Sequence, residues 1–157
     1  MRLGELLTED LITFDIAASN KWEAIDALLD LLVRSGKVKA EQRKVLSDAL
    51  VARENIASTG LEHGVAIPHA SVDVLDEAVA VFAIARGGIP FQANDGMPAK
   101  LVILLLIPRK SIQKHIRTLT CIARLLNFEE MRNALLNAPT PADVLRIIKE
   151  EEEKSPG

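Results

Sequence analysis

Ala78-Val79-Ala80-Val81-Phe82-Ala83-Ile84-Ala85 and, after a break, Leu101-Val102-Ile103-Leu104-Leu105-Leu106-Ile107 are apolar at every position. A strand with one wet face alternates apolar and polar residues, so unbroken runs of this length predict strands buried on both faces. A sheet hidden on both sides needs helices over it. Gly87, Gly88, Pro90, Asn94, Gly96 and Pro98 lie between the runs and predict a loop there. Upstream, Ile25, Leu28, Leu29, Leu32 and Val33 recur at helical spacing over residues 21–34, with Asn20 and Glu23 as a capping box and Gly36 as the stop. A second helix is expected over 40–53, with Val45, Leu46, Ala49 and Leu50 inward and Arg53 and Glu54 near its end. Residues 55–71 read as non-helical, and residues 11–16 as an additional strand. From Ser111 onward Ile112, His115, Ile116, Leu119, Ala123 and Leu126 share a face, and further helices fit 129–137 and 142–149. The segments alternate too irregularly for a strict βαβ array. The expectation is a single α/β domain with a central mixed β-sheet flanked by helices on both faces.

A chain of 157 residues, 48% apolar and 26% charged, fits one core and needs neither disulfide nor metal to stand. Residues 1–149 are expected to form the domain, with 150–157 as a charged, solvated tail. Nineteen Lys and Arg against 22 Asp and Glu give a net charge of −3. Such a balance lacks the broad positive field that binds phosphate backbones, and five aromatics without a tyrosine offer no stacking platform, so no nucleic acid is expected as partner. The N-terminus has no apolar signal core, and the run at 101–107 is far shorter than the roughly 18 residues a spanning helix requires. No membrane insertion and a cytoplasmic location are expected. Cys121 is the only cysteine, which excludes an intrachain disulfide and a cysteine metal cage; within its helix it is expected to pack as a small hydrophobe.

His69 follows Pro68, whose fixed φ biases Ile67 to an extended backbone, so a short strand is expected to end here with the imidazole projecting into a loop of small residues. A stiffly mounted imidazole can attack with one nitrogen while the other holds the orienting proton. It can equally be an ordinary polar loop residue. Arg53 offers paired donors that suit the equatorial oxygens of a transferring phosphoryl group, and Ser58 and Thr59 add hydroxyls. Alternatively, Arg53 complements a helix dipole while Ser58, Thr59 and Gly60 make a turn. His115 lies on an apolar helix face, where it is either a packed core residue or a partner for His69. Glu62, His63 and His69 match no zinc spacing, so no metal is expected. Arg109, Lys110, Lys114 and Arg117 form a basic cluster, read as a solvated face or a site of partner attraction.

Arg53-Glu54-Asn55-Ile56-Ala57-Ser58-Thr59-Gly60-Leu61-Glu62-His63-Gly64-Val65-Ala66-Ile67-Pro68-His69-Ala70 resembles the phosphorylation-site signature of the IIA domains of the bacterial phosphoenolpyruvate-dependent phosphotransferase system, mannitol/fructose and nitrogen-regulatory class. The likeness extends over the first long helix, the loop of residues 91–98 feeding the second apolar strand, and the helix of His115. It implies that His69 is the phosphoacceptor, that Arg53 binds the phosphoryl group, that Ser58 and Thr59 line its pocket and that His115 is the second active-site histidine. It further implies a phosphoryl donor, the carrier HPr or a paralogue, and no metal or organic cofactor. Glu62 departs from the family, where many members have glycine, and is expected to face solvent. Three functions follow as expectations. The first is a nitrogen-regulatory IIA protein acting through protein–protein contacts, since the chain carries no attached permease module. The second is a fructose/mannitol-type IIA component passing phosphate to a permease subunit. The third is an anion-sensing module that has lost phosphotransfer.

Overall fold

A computed structural model describes residues 1–154. Six α-helices and six strands are present among them. In chain order they are α1 (Leu3–Leu6), β1 (Ile12–Phe14), α2 (Lys21–Arg34), α3 (Arg43–Ile56), β2 (Gly60–Leu61), β3 (Val65–Ala66), β4 (His69–Val72), β5 (Val79–Ile89), β6 (Ala99–Pro108), α4 (Ile112–Leu125), α5 (Glu129–Leu136) and α6 (Pro141–Glu153).

The sheet is mixed, with order β1-β5-β6-β3-β2 and β4 also paired to β6. The two apolar runs form its antiparallel centre, with Phe82 opposite Ile103 and Ala80 opposite Leu105. Every residue of 79–85 and 101–107 is buried, so residues pointing to either side are covered and the sheet has helices over both faces. On one side α2 and α3 pack together, α2 on β5 and α3 on β4; α5 and α6 pack on β5, β6 and β1. Asn20 caps α2 by accepting from the Glu23 N–H at 3.0 Å, the first half of the expected capping box, while Glu23 Oε1 reaches back one residue further to accept from the Ser19 N–H at 2.8 Å.

Several boundaries differ from the sequence reading. β5 continues through Arg86, Gly87 and Gly88 to Ile89, past a register irregularity after Ile84, because Gly88 takes φ +80° and keeps the chain beside β6. The second helix begins after a 3₁₀ turn at Ala40–Gln42 and runs to Ile56, with Val45 outside at 49% exposure. α6 carries on past Lys149 to Glu153, and Glu152 turns back so that its Oε1 accepts from the Gly4 N–H at 3.1 Å. The boundary drawn at 149 therefore falls inside a helix; the rest of that tail, 155–157, lies outside the described residues.

His69 opens a strand instead of closing one. β3 and β4 lie on the same edge of β6, both parallel to it, with Val65 opposite Leu101 and His69 opposite Leu105. Pro68 has no N–H to give, so strand pairing lapses over Ile67 and Pro68 and then resumes. The Pro68 carbonyl still accepts from the Leu105 N–H at 3.0 Å, which pins the break to the sheet.

Candidate functional site

β4 delivers His69 half-buried to the floor of a cleft between α3 and α4. The cleft holds about 420 Å³ and is walled by Ala49, Arg53 and Ile56 of α3 and by Ile112, Ile116 and Leu119 of α4, with Arg109 at one end. A second recess of about 320 Å³ shares Arg53, His69 and Leu119 and is lined by Ser58, Thr59, Leu61, Thr120 and Ala123. The apolar face of α4 thus splits into two strips. His115, Thr118 and Ile122 are buried, whereas Ile112 and Ile116 stay exposed and form the cleft wall.

His69 Nδ1 lies 2.7 Å from the Ile67 carbonyl oxygen. A carbonyl can only accept, so Nδ1 carries the proton and Nε2 keeps its lone pair. Burial, assisted by the positive charge of Arg53, pushes the imidazole below its ordinary pKa against the raising effects of the Ile67 carbonyl and Glu54. The neutral ring with a free Nε2 is the dominant species at neutral pH. Chemically, this is a nucleophilic nitrogen in a shallow cleft with a guanidinium beside it.

Arg53 sits in the last turn of α3, where its Nη1 donates to the Ala57 carbonyl at 2.9 Å. It therefore caps the helix and also lines both recesses, leaving its other donors for an anion. The hydroxyls are committed elsewhere. Ser58 Oγ donates to the Phe91 carbonyl and accepts from the Gly60 N–H, and Thr59 Oγ1 donates to Glu54 Oε1 at 2.6 Å. Both residues shape the recess, yet neither hydroxyl is free to greet a ligand.

Arg53, Ser58, Thr59 and His69 come together in the recesses; His115 does not line either of them. It is 3% exposed, on the strip of α4 next to the cleft wall, with Nδ1 3.4 Å from Thr118 Oγ1. Burial, then Lys114 and the chain's amino terminus, lowers its pKa.

Glu62 faces solvent, 3.8 Å from the His63 imidazole, while the His63 N–H donates to Asp95 Oδ2 at 2.8 Å. Arg109 and Lys110 pair with Asp73 and Asp76, each at 2.9 Å, which neutralises half of the basic cluster. Cys121 is exposed, contrary to its expected packing, and opens onto a surface recess that it shares with Arg124 and Leu125. Among the described residues no three His, Cys, Asp or Glu side chains are grouped as a metal ion requires. No described helix is long and apolar enough to cross a membrane.

Sequence reasoning passed over Glu54. It is 3% exposed, accepts from the Thr59 N–H at 2.8 Å as well as from its hydroxyl, and pairs with buried Lys21 at 3.3 Å. A glutamate in the last turn of a helix ordinarily faces water, and nothing in its spacing from Lys21 signals otherwise. Phe91, wholly buried and presenting its carbonyl to Ser58, was likewise invisible.

The fructose-specific EIIA component of the phosphotransferase system of Haloferax volcanii is 36% identical over 141 residues, covering 90% of each chain. The crystal structure of the nitrogen regulatory protein IIA-Ntr from Neisseria meningitidis superposes with a TM-score of 0.84 at 29% identity, over 93% of this chain and 98% of that one. Enzyme IIA for mannitol from Escherichia coli, solved in complex with phosphorylated enzyme IIB, gives a TM-score of 0.75 at 25% identity, over 92% and 97%. Residues 5–151 match the family described as phosphoenolpyruvate-dependent sugar phosphotransferase system, EIIA 2, and with the site laid out on the same signature segment the chain belongs to that family.

Proposed function

We propose that the protein is a phosphohistidine carrier in which His69 accepts a phosphoryl group from the phosphocarrier protein HPr or a paralogue and yields it to a downstream protein. The observation that carries this reading is the hydrogen bond from His69 Nδ1–H to the Ile67 carbonyl, which leaves Nε2 unprotonated at the cleft beside Arg53. The Nε2 lone pair attacks phosphorus in line as the donor's phosphorus–nitrogen bond breaks. The Nδ1 proton stays where it is, and the Ile67 carbonyl steadies the positive charge that the ring acquires. The free guanidinium donors of Arg53 hold the equatorial oxygens. Ser58 and Thr59 frame the group through their backbone and shape. His115, buried on α4 beside Ile116 and Leu119 of the cleft wall, acts by packing behind that wall and not by touching the group. Such a transfer calls for no metal or organic cofactor, and a protein exchanging phosphoryl groups with a phosphoenolpyruvate-fed carrier works in the cytoplasm.

The regulatory reading, in which the phosphorylation state of His69 alters contacts with a target protein, is supported by the likeness to IIA-Ntr. The transport reading, in which phosphate passes to a permease subunit, is supported by the 36% identity to a fructose-specific component. Incubation with enzyme I, HPr and labelled phosphoenolpyruvate is expected to place acid-labile, alkali-stable label on the protein, and His69→Ala to abolish it. Undiminished labelling of His69→Ala overturns the assignment, and binding of inorganic phosphate without any labelling favours the anion-sensing module. Added IIB domain discharges the label in the transport case and leaves it in the regulatory one.

A further inference from the structure

A chain of hydrogen bonds runs from the buried start of α2 to the imidazole. Lys21 Nζ donates to Glu54 Oε2 at 3.3 Å. Glu54 in turn accepts from the Thr59 N–H at 2.8 Å and from Thr59 Oγ1 at 2.6 Å. The Thr59 carbonyl accepts from the Ile67 N–H at 3.1 Å, and the Ile67 carbonyl accepts the Nδ1 proton of His69 at 2.7 Å. Lys21 and Glu54 are 5% and 3% exposed. Taking such a pair out of water is costly, and attraction and hydrogen bonds must offset it. It also stands in the wrong place for a mere staple, since the fold already has a continuous apolar core between α2, α3 and the sheet.

We propose that Glu54, anchored by Lys21, is a positioning residue for phosphoryl transfer: it clamps both donors of Thr59, so that residues 59 and 67 lock together and the Ile67 carbonyl meets Nδ1 of His69. The clamp thereby selects which imidazole nitrogen holds the proton. With the carbonyl fixed, Nδ1 is blocked and Nε2 alone is available to attack; with the carbonyl free to swing, both tautomers coexist and either nitrogen can be phosphorylated. The charge of Glu54 also favours a more basic His69, against Arg53. Thr59 serves the clamp with its hydroxyl, which donates to Glu54 while the residue still lines the recess.

This inference rests on His69 being the acceptor, and its test separates the two claims. Glu54→Gln keeps the side-chain shape but loses the charge and one good acceptor; Thr59→Val removes only the hydroxyl, and Thr59→Ser restores it. Above the titration of His69, long-range proton–nitrogen correlation spectra are expected to show a single Nδ1–H tautomer in the wild type and Thr59→Ser, and mixed tautomers in Glu54→Gln and Thr59→Val. Phosphorylation by phosphoramidate, a small donor that needs no docking, is expected to give one phosphohistidine isomer in the wild type and both in the two clamp variants. Its rate is expected to fall roughly tenfold in those variants, the scale of a misplaced reacting group. A purely structural role lowers the melting temperature and leaves tautomer and isomer untouched. Wild-type spectra and isomer content in Glu54→Gln and Thr59→Val overturn the inference, and should Glu54→Gln not fold, Thr59→Val decides alone. If the wild type takes no phosphate on His69, the carrier reading fails while the tautomer spectra still judge the clamp.

Discussion

On the His69 ring, burial competes with the Ile67 carbonyl, and burial wins, leaving the folded-state pKa below the ordinary 6.5. Two pH effects follow. The rate of labelling is expected to rise with pH only through that lowered pKa and to be flat by pH 7, as a pH–rate profile with phosphoramidate will test. For stability, the unfolded chain binds a proton more readily than the folded one, so the contribution of His69 is complete above 6.5 and is lost as pH falls through the folded-state value. Urea unfolding of wild type and His69→Ala over this range checks the sign: the gap between them must narrow on acidification. Gly60 is a residue near the site with no room to change. A Cβ there lies 2.9 Å from the Phe91 carbonyl oxygen and 3.1 Å from Phe91 Cβ, backbone and first side-chain atoms that cannot swing aside. Gly60→Ala is expected to displace the Ser58–Phe91 hydrogen bond, cost about 1–3 kcal/mol by urea unfolding, and slow labelling. His69 and Arg53 were legible as residue types suited to phosphoryl chemistry. The direction of the Ser58 and Thr59 hydroxyls was not, because their partners Phe91 and Glu54 are chosen by tertiary packing and leave no mark in local spacing.

The helices repeat this division. α2 was readable end to end because its cap, its apolar stripe and its stop agree. α4 is readable as a helix with one apolar face, but which part of that face is covered is not. Periodicity reports which residues share a face and cannot say that half of the face borders an open cleft, as Ile112 and Ile116 do. The run of glutamates after Lys149 predicts a solvated tail, but Glu152 reaches the Gly4 N–H of α1. Burial raises its pKa above the ordinary 4.5 despite the Gly4 and Leu3 N–H groups. The charged form therefore weakens the fold relative to the neutral one. Glu152→Gln, which imitates the neutral form and still accepts a hydrogen bond, is expected to stabilise by about 0.5 kcal/mol at pH 7 and to converge with the wild type as pH falls through the raised pKa. Thermal melts at several pH values will show it.

For the molecule as a whole, the two apolar runs carry the fold. Leu104 is fully buried and lies opposite Val81 in the antiparallel centre of the covered sheet. Leu104→Ala is expected to cost about 2–5 kcal/mol, read as a lower urea midpoint with an unchanged slope. That the sheet is mixed and covered on both faces followed from composition of the runs and irregular alternation of segments. Its order did not, because pairing β3 and β4 to one edge of β6 is a long-range choice that Pro68 disguises as a strand ending. The same arrangement explains why Ile56, 81% exposed, and Ile116, 53% exposed, can stand bare around the cleft: they cost little when the sheet beneath supplies the stability, and they offer an incoming protein an apolar rim.

With strand ladders before and after Pro68 and the Pro68 carbonyl itself held by Leu105, the mount of His69 is tied to the sheet on both sides, and in the carrier role proposed above it would have little freedom to recoil on gaining a phosphoryl dianion. On that proposal the phosphorylated and free forms share one backbone silhouette. A listener that distinguishes them senses the added negative field at the rim, and ionic strength, not molecular shape, is the dial that sets how clearly it hears.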